Sequence, residues 1–172
     1  MFNNCLSLKK LNLSNFNINK VTNMNHMFYG CISLEELDLS NFDTSNVSNM
    51  SNMFSHCYSL KKLKIANFNT KNVENMSHMF DSCKSIDYLE VYNFNTDNVT
   101  DMSFMFYECT LLKDLETSNF NFQKARIYDC MFGECREELK IKIGELYPHL
   151  KESTFYNKAE LDYAMDDFNY LY

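Results

Sequence analysis

At 172 residues and 20.4 kDa, with 45% hydrophobic and 15% aromatic residues, the chain has the size of one domain and enough apolar side chain for a core, which excludes a disordered tail. A net charge of −7 and a pI of about 5.1, with Lys and Arg scattered along the chain, exclude the basic footprint of a nucleic-acid binder. No apolar run reaches the roughly eighteen residues of a membrane span, and the opening "MFNNCLSLKK" lacks the basic start and apolar stretch of a signal peptide, so no membrane insertion by this chain is expected.

From the first residue onward one interval dominates. Met-Phe begins at 1, 27, 53, 79, 105 and 131, and a Cys follows each Phe by three residues at Cys5, Cys31, Cys57, Cys83, Cys109 and Cys135, always 26 apart. A fixed period of this length signals stacked supersecondary units. With only three Gly and one Pro, the turns between them must be made by Asn, which tolerates left-handed backbone and caps its own turn.

Two periodicities sit inside each unit. "LEELDLSNF" carries Leu34, Leu37, Leu39 and Phe42 in the alternation of a short strand, whereas Val47, Met50, Met53, Phe54 and Cys57 fall on the stripe of a three-turn helix over 46–57. One strand and one helix per unit predict an α/β repeat, a leucine-rich-repeat-like solenoid with a parallel sheet of short strands on one side and short helices on the other. The frame runs over residues 1–146, five full units and a partial sixth, with Ile141 and Ile143 of "LKIKIGEL" expected on a sixth strand. It starts in mid-unit at Met1, so an N-terminal edge is left for another chain to cover, or for self-association, unless the stretch is part of a longer protein. Residues 147–172 lose the phase and predict a C-terminal cap, with a helix near 158–171 opened by Asn157 and Glu160 as a capping box and bearing Leu161, Ala164, Met165, Phe168 and Leu171 on one side.

"NHMFYGC" and "SHMFDSC" group an imidazole, a thioether and a thiol, as a metal site would. On a helix, however, His26 and Cys31 would lie about 140° apart, and the position of His26 becomes Asn52, His78, Phe104 and Cys130 in later units. The six-fold Cys and the Met are therefore expected in a buried ladder rather than on an ion, and Cys130, outside that ladder, is expected to be exposed. No metal and no cofactor are expected. The Asn at 15, 41, 67, 93 and 119 (Asn15, Asn41, Asn67, Asn93 and Asn119) predict a second ladder of turn amides. The four His have no nucleophile and carboxylate at a catalytic spacing, and no Gly-rich phosphate loop exists, so the chain is not expected to be an enzyme.

Residues alternating with the buried Leu face outward on the predicted sheet. Their charges alternate across units, Lys10 beside Glu36 beside Lys62, and Asp38 beside Lys64 beside Glu90, which suits a self-paired surface. Tyr88 and Tyr92 break the pattern as two exposed aromatics around Glu90, with Lys62 and Lys64 on one side and Asp114 and Glu116 on the other. That patch is the candidate protein-binding face.

The recurring "MFxxCxSLxxLDLSNFDTSNVxNMSxMF" resembles the 26-residue repeat of bacterial surface proteins of the BspA-like leucine-rich family, also seen in mycoplasma surface lipoproteins, over residues 1–146. The resemblance implies a non-enzymatic module at the cell surface or secreted, serving adhesion or the binding of a host protein or glycan, and it carries no catalytic residues. The stretch lacks the signal sequence, lipid-attachment Cys and wall anchor of such proteins, which leaves a cytoplasmic location open. The alternative reading is an intracellular structural scaffold, or a self-associating spacer, without an external ligand.

Overall fold

The structure, a computed structural model, describes the backbone of residues 1–169 and the side chains of residues 1–165. Leu171 and the side chain of Phe168, both assigned above to the last helix, lie outside the described residues. The regular elements are β1 (Glu36–Asp38), β2 (Lys62–Lys64), α1 (Glu137–Leu146), a 3-10 turn over Glu152–Phe155, and α2 (Lys158–Asn169).

This overturns the expected α/β solenoid. Among the described residues the sheet has two strands of three residues each, parallel, with Glu36 opposite Lys62 and Asp38 opposite Lys64. No helix precedes Glu137, and the expected sixth strand is α1, in which Ile143 is buried and Ile141 points out.

The failure of the expected helices has a local cause. Asn52 and His56 both stand in the left-handed region, at φ 56° and 60°, and the same two positions are left-handed in the later units, at His78 and Ser82, Phe104 and Glu108, Cys130 and Glu134. A helix cannot pass through such residues. The backbone instead makes consecutive tight turns, Met53 N–H to Met50 O, Ser55 N–H to Asn52 O and Cys57 N–H to Phe54 O, while the alternate amides reach into the next unit. Met50, Asn52, Phe54 and His56 donate to the carbonyls of Asn75, Ser77, Met79 and Asp81 at 2.8–3.0 Å. Five parallel bridges, from Asn23–Asn49 and Lys10–Glu36 to Asp101–Ile127, complete the register of about 26 residues. Four of these five bridges lie on the Met-Phe side, where helices were expected.

The predicted sheet side is weaker after β2. Opposite charges face each other across β1 and β2, whereas Glu90 and Glu116, one 26-residue interval apart in later units, carry the same charge, and like charges in facing positions destabilise a ladder.

The core is columnar. Phe2, Phe28, Phe54, Phe80, Phe106 and Phe132 stack with centroids 5.4–5.6 Å apart and planes within 12°, and Phe155 of the 3-10 turn continues the column at 6.3 Å. Each fully buried ring contributes about 1.5–3 kcal/mol by burial, and each offset stack about 0.5–1.5 kcal/mol beyond it. At the C-terminal end Cys130 and Phe132 donate backbone bonds to Ser153 and Thr154, so the 3-10 turn supplies the last rung, while Leu139 and Ile143 of α1 fill the apolar space beside it.

Candidate functional site

The two ladders described from the sequence have defined partners. The thiols of Cys31, Cys57, Cys83, Cys109 and Cys135 donate to the carbonyls of Phe2, Phe28, Phe54, Phe80 and Phe106, one unit back, at 3.1–3.3 Å. Burial raises the pKa of these thiols, to about 12 for Cys57 and Cys135, which keeps them protonated and unreactive. All seven cysteines are free, and Cys5 is half-buried. Cys130, expected at the surface, is buried, because the 3-10 turn and the start of α2 close over it, and its thiol is likewise pushed up to about 12 by desolvation.

Asn41, Asn67, Asn93 and Asn119 each send the side-chain amide to carbonyls of the unit before, including those of Leu13, Phe42, Ala66 and Tyr92. Asn15, in the first unit, is exposed. Two further columns were missed in the letters. Asn46, Asn72 and Asn98 donate to Asn19 O, Ser45 O and Lys71 O, and the buried hydroxyls of Thr44, Thr70 and Thr96 bridge to the next unit at the carbonyls of Asn69, Asn95 and Asn121. Their recurrence at 26-residue intervals was the available signal.

"SHMFDSC" resolves into a polar cluster of another kind. His78 Nδ1 lies 2.8 Å from Asp81, Ser82 Oγ donates to Asp81 or Glu108, and Lys84 pairs with Glu108 at 2.9 Å. The serine hydroxyl, itself buried, is held by carboxylates and not by the imidazole, and His78 stacks on Phe104 at 4.7 Å. Among the described residues no group of three or more His, Cys, Asp or Glu could hold a metal ion, and no helix is long and apolar enough to cross a membrane.

The outward face carries the residues assigned to binding. Lys62 and Lys64 both lean back onto β1, pairing with Glu36 at 2.8 Å and Asp38 at 2.7 Å. Lys64 together with Ser40 draws the Asp38 carboxyl down to about 2, and Lys62 lowers Glu36. Asp114 is taken by Lys142 of α1, which lowers its pKa, and Glu116 accepts the backbone N–H of Ser118, which lowers that of Glu116. Tyr88 is 64% exposed and Tyr92 41% exposed, with the buried Leu89 and Val91 between them pointing inward, so Tyr88, Glu90 and Tyr92 share one face. The structure thus sets the seven side chains on one surface but does not join them in a network: the two lysines are bound to β1, away from the tyrosines.

The family model described as "Mycoplasma protein of unknown function, DUF285" matches residues 1–90 and again 33–144. No curated protein and no solved structure matches the chain.

Proposed function

This chain belongs to the family described as Mycoplasma protein of unknown function, DUF285, and from that premise we propose that it is a non-enzymatic interaction module, displayed at the cell surface, that binds an external partner through the face centred on Tyr88 and Tyr92. The carrying observation is the contrast on that face: the neighbouring Lys62, Lys64 and Asp114 are consumed by ion pairs, whereas two large aromatic side chains remain uncovered. Exposed Tyr is the residue type that interfaces favour, because its ring is apolar and rigid while its hydroxyl tolerates water. In the polar cluster at His78 the imidazole faces Asp81 rather than a hydroxyl or thiol, and the Ser82 hydroxyl is buried, which supports the non-enzymatic reading. The surface placement rests on the repeat's resemblance to bacterial surface proteins.

The test is binding of the purified chain to a glycan array and to a panel of immobilised extracellular-matrix proteins. Binding should be lost in the Tyr88→Ala/Tyr92→Ala variant while its circular dichroism stays unchanged. Retained binding in that variant overturns the site. Absence of binding, together with a mass that rises with concentration in sedimentation, overturns the function in favour of a self-associating spacer.

A further inference from the structure

Between the two tyrosines in the alternation of the outward face stands a carboxylate, Glu90, that among the described residues has no ion pair. Glu90 is half-buried, and among the described residues no hydrogen bond neutralises it either. Lys64, one 26-residue interval before it, is paired with Asp38, and the residue one interval after it is a second acid, Glu116. Neither tyrosine ring has a cation over it; the two cation–ring contacts of the described residues are Lys84 on Tyr58 and Lys151 on Tyr128.

Resting on the reading of this face as the interface, we propose that its partner is an extended, cationic protein segment, with a Lys or Arg side chain seated between Tyr88 and Tyr92 on the carboxylate of Glu90. The chemistry is complementary on both counts. The negative faces of two rings attract an ammonium or guanidinium group, and a partly desolvated carboxylate binds it through charge-assisted hydrogen bonds. The spacing suits an extended chain: Tyr88, Glu90 and Tyr92 are alternate residues, so a segment lying along them can offer a side chain to each. Every other carboxylate of the patch is already bound, Asp114 by Lys142 and Glu116 by its own turn, which makes Glu90 the group that confers the preference.

The experiment is fluorescence anisotropy of the whole chain with labelled decapeptides of alternating Arg and Ser, and with the Glu counterpart. The Arg peptide should bind and the Glu peptide should not. Glu90→Gln should weaken binding about tenfold, the size of one charge-assisted contact. Tyr88→Phe, which keeps the ring, should bind like the wild type, and Tyr88→Ala more weakly. Glu145→Gln, the same charge change at an exposed position on α1, should have no effect. Equal losses in Glu90→Gln and Glu145→Gln would reduce the effect to the overall charge of −7 and overturn the proposal. No binding of the Arg peptide, with a panel ligand still lost on Tyr88→Ala/Tyr92→Ala, would overturn the cationic partner and leave the interface standing.

Discussion

A glycine placed at Glu134 separates a helical unit from a turned one by the sign of its effect. Glu134 is exposed, has φ 58°, and occupies the second left-handed position of its unit. In a helix interior glycine costs roughly 1 kcal/mol relative to residues with a side chain. In the left-handed region an L-residue bears about 1–2 kcal/mol of strain that glycine removes, offset by the 0.4–1 kcal/mol or so that a more flexible unfolded chain costs. The net expectation for Glu134→Gly is a gain of about 0.5–1 kcal/mol, or roughly 1–4 °C in Tm for a chain of this size. Glu134→Gln, which makes the same charge change but keeps Cβ, is the reference, so relief of charge repulsion cancels in the difference. Thermal unfolding followed by circular dichroism at neutral pH reads it. A Tm for Glu134→Gly below that of Glu134→Gln would mean that this segment is helical and that the turn geometry is wrong.

Three further outcomes follow from the packing. Native protein treated with iodoacetamide near neutral pH should take one label, on half-buried Cys5, and seven after unfolding, because burial holds the other thiols protonated; rapid native labelling of Cys57 or Cys130, read by mass spectrometry, would contradict their closure. Phe80→Ala should cost about 3–5 kcal/mol, since it empties a rung between Phe54 and Phe106, and a loss below 1 kcal/mol in urea unfolding would deny the column. The Asp38 carboxyl has a folded pKa lowered to about 2, so its contribution is present above the ordinary carboxyl range and disappears as pH falls through about 2. Asp38→Asn should therefore be less stable than wild type at pH 7, by no more than about 1 kcal/mol for so exposed a pair, with most of that difference gone at pH 2. A difference as large at pH 2 as at pH 7 would assign the effect to something other than the ion pair with Lys64.

How far the architecture could be read from the letters depended on whether a signal was set by side-chain identity or by backbone conformation. The 26-residue interval of Phe and Cys is a matter of identity, and the contacts follow it: Phe stacks on Phe and each thiol bonds one unit back. The form of the unit is a matter of backbone, and there the reading failed. Val47, Met50, Met53, Phe54 and Cys57 all lie inward, as a helix would put them, but successive tight turns also return a side chain to the core every three or four residues, so the stripe does not tell the two apart. The distinguishing residues are the left-handed ones, and they carry no common type: His26, Asn52, His78, Phe104 and Cys130 at one position, Asn4, Gly30, His56, Ser82, Glu108 and Glu134 at the other. Only Asn4, Gly30 and Asn52 advertise that conformation by residue type. The others are held there because the alternate amides gain bonds to the next unit, a benefit that exists only once units are stacked. The outward face divides in the same way. That Tyr88, Glu90 and Tyr92 point together follows from alternation, but that Lys64 pairs with Asp38, which Ser40 also holds, is a contact between side chains that no one-dimensional pattern records. One interval separates Lys64 from Asp38 and from Glu90 alike, and the lysine pairs with Asp38, so the ion pair that stabilises β1 against β2 is also one that Glu90 does not share.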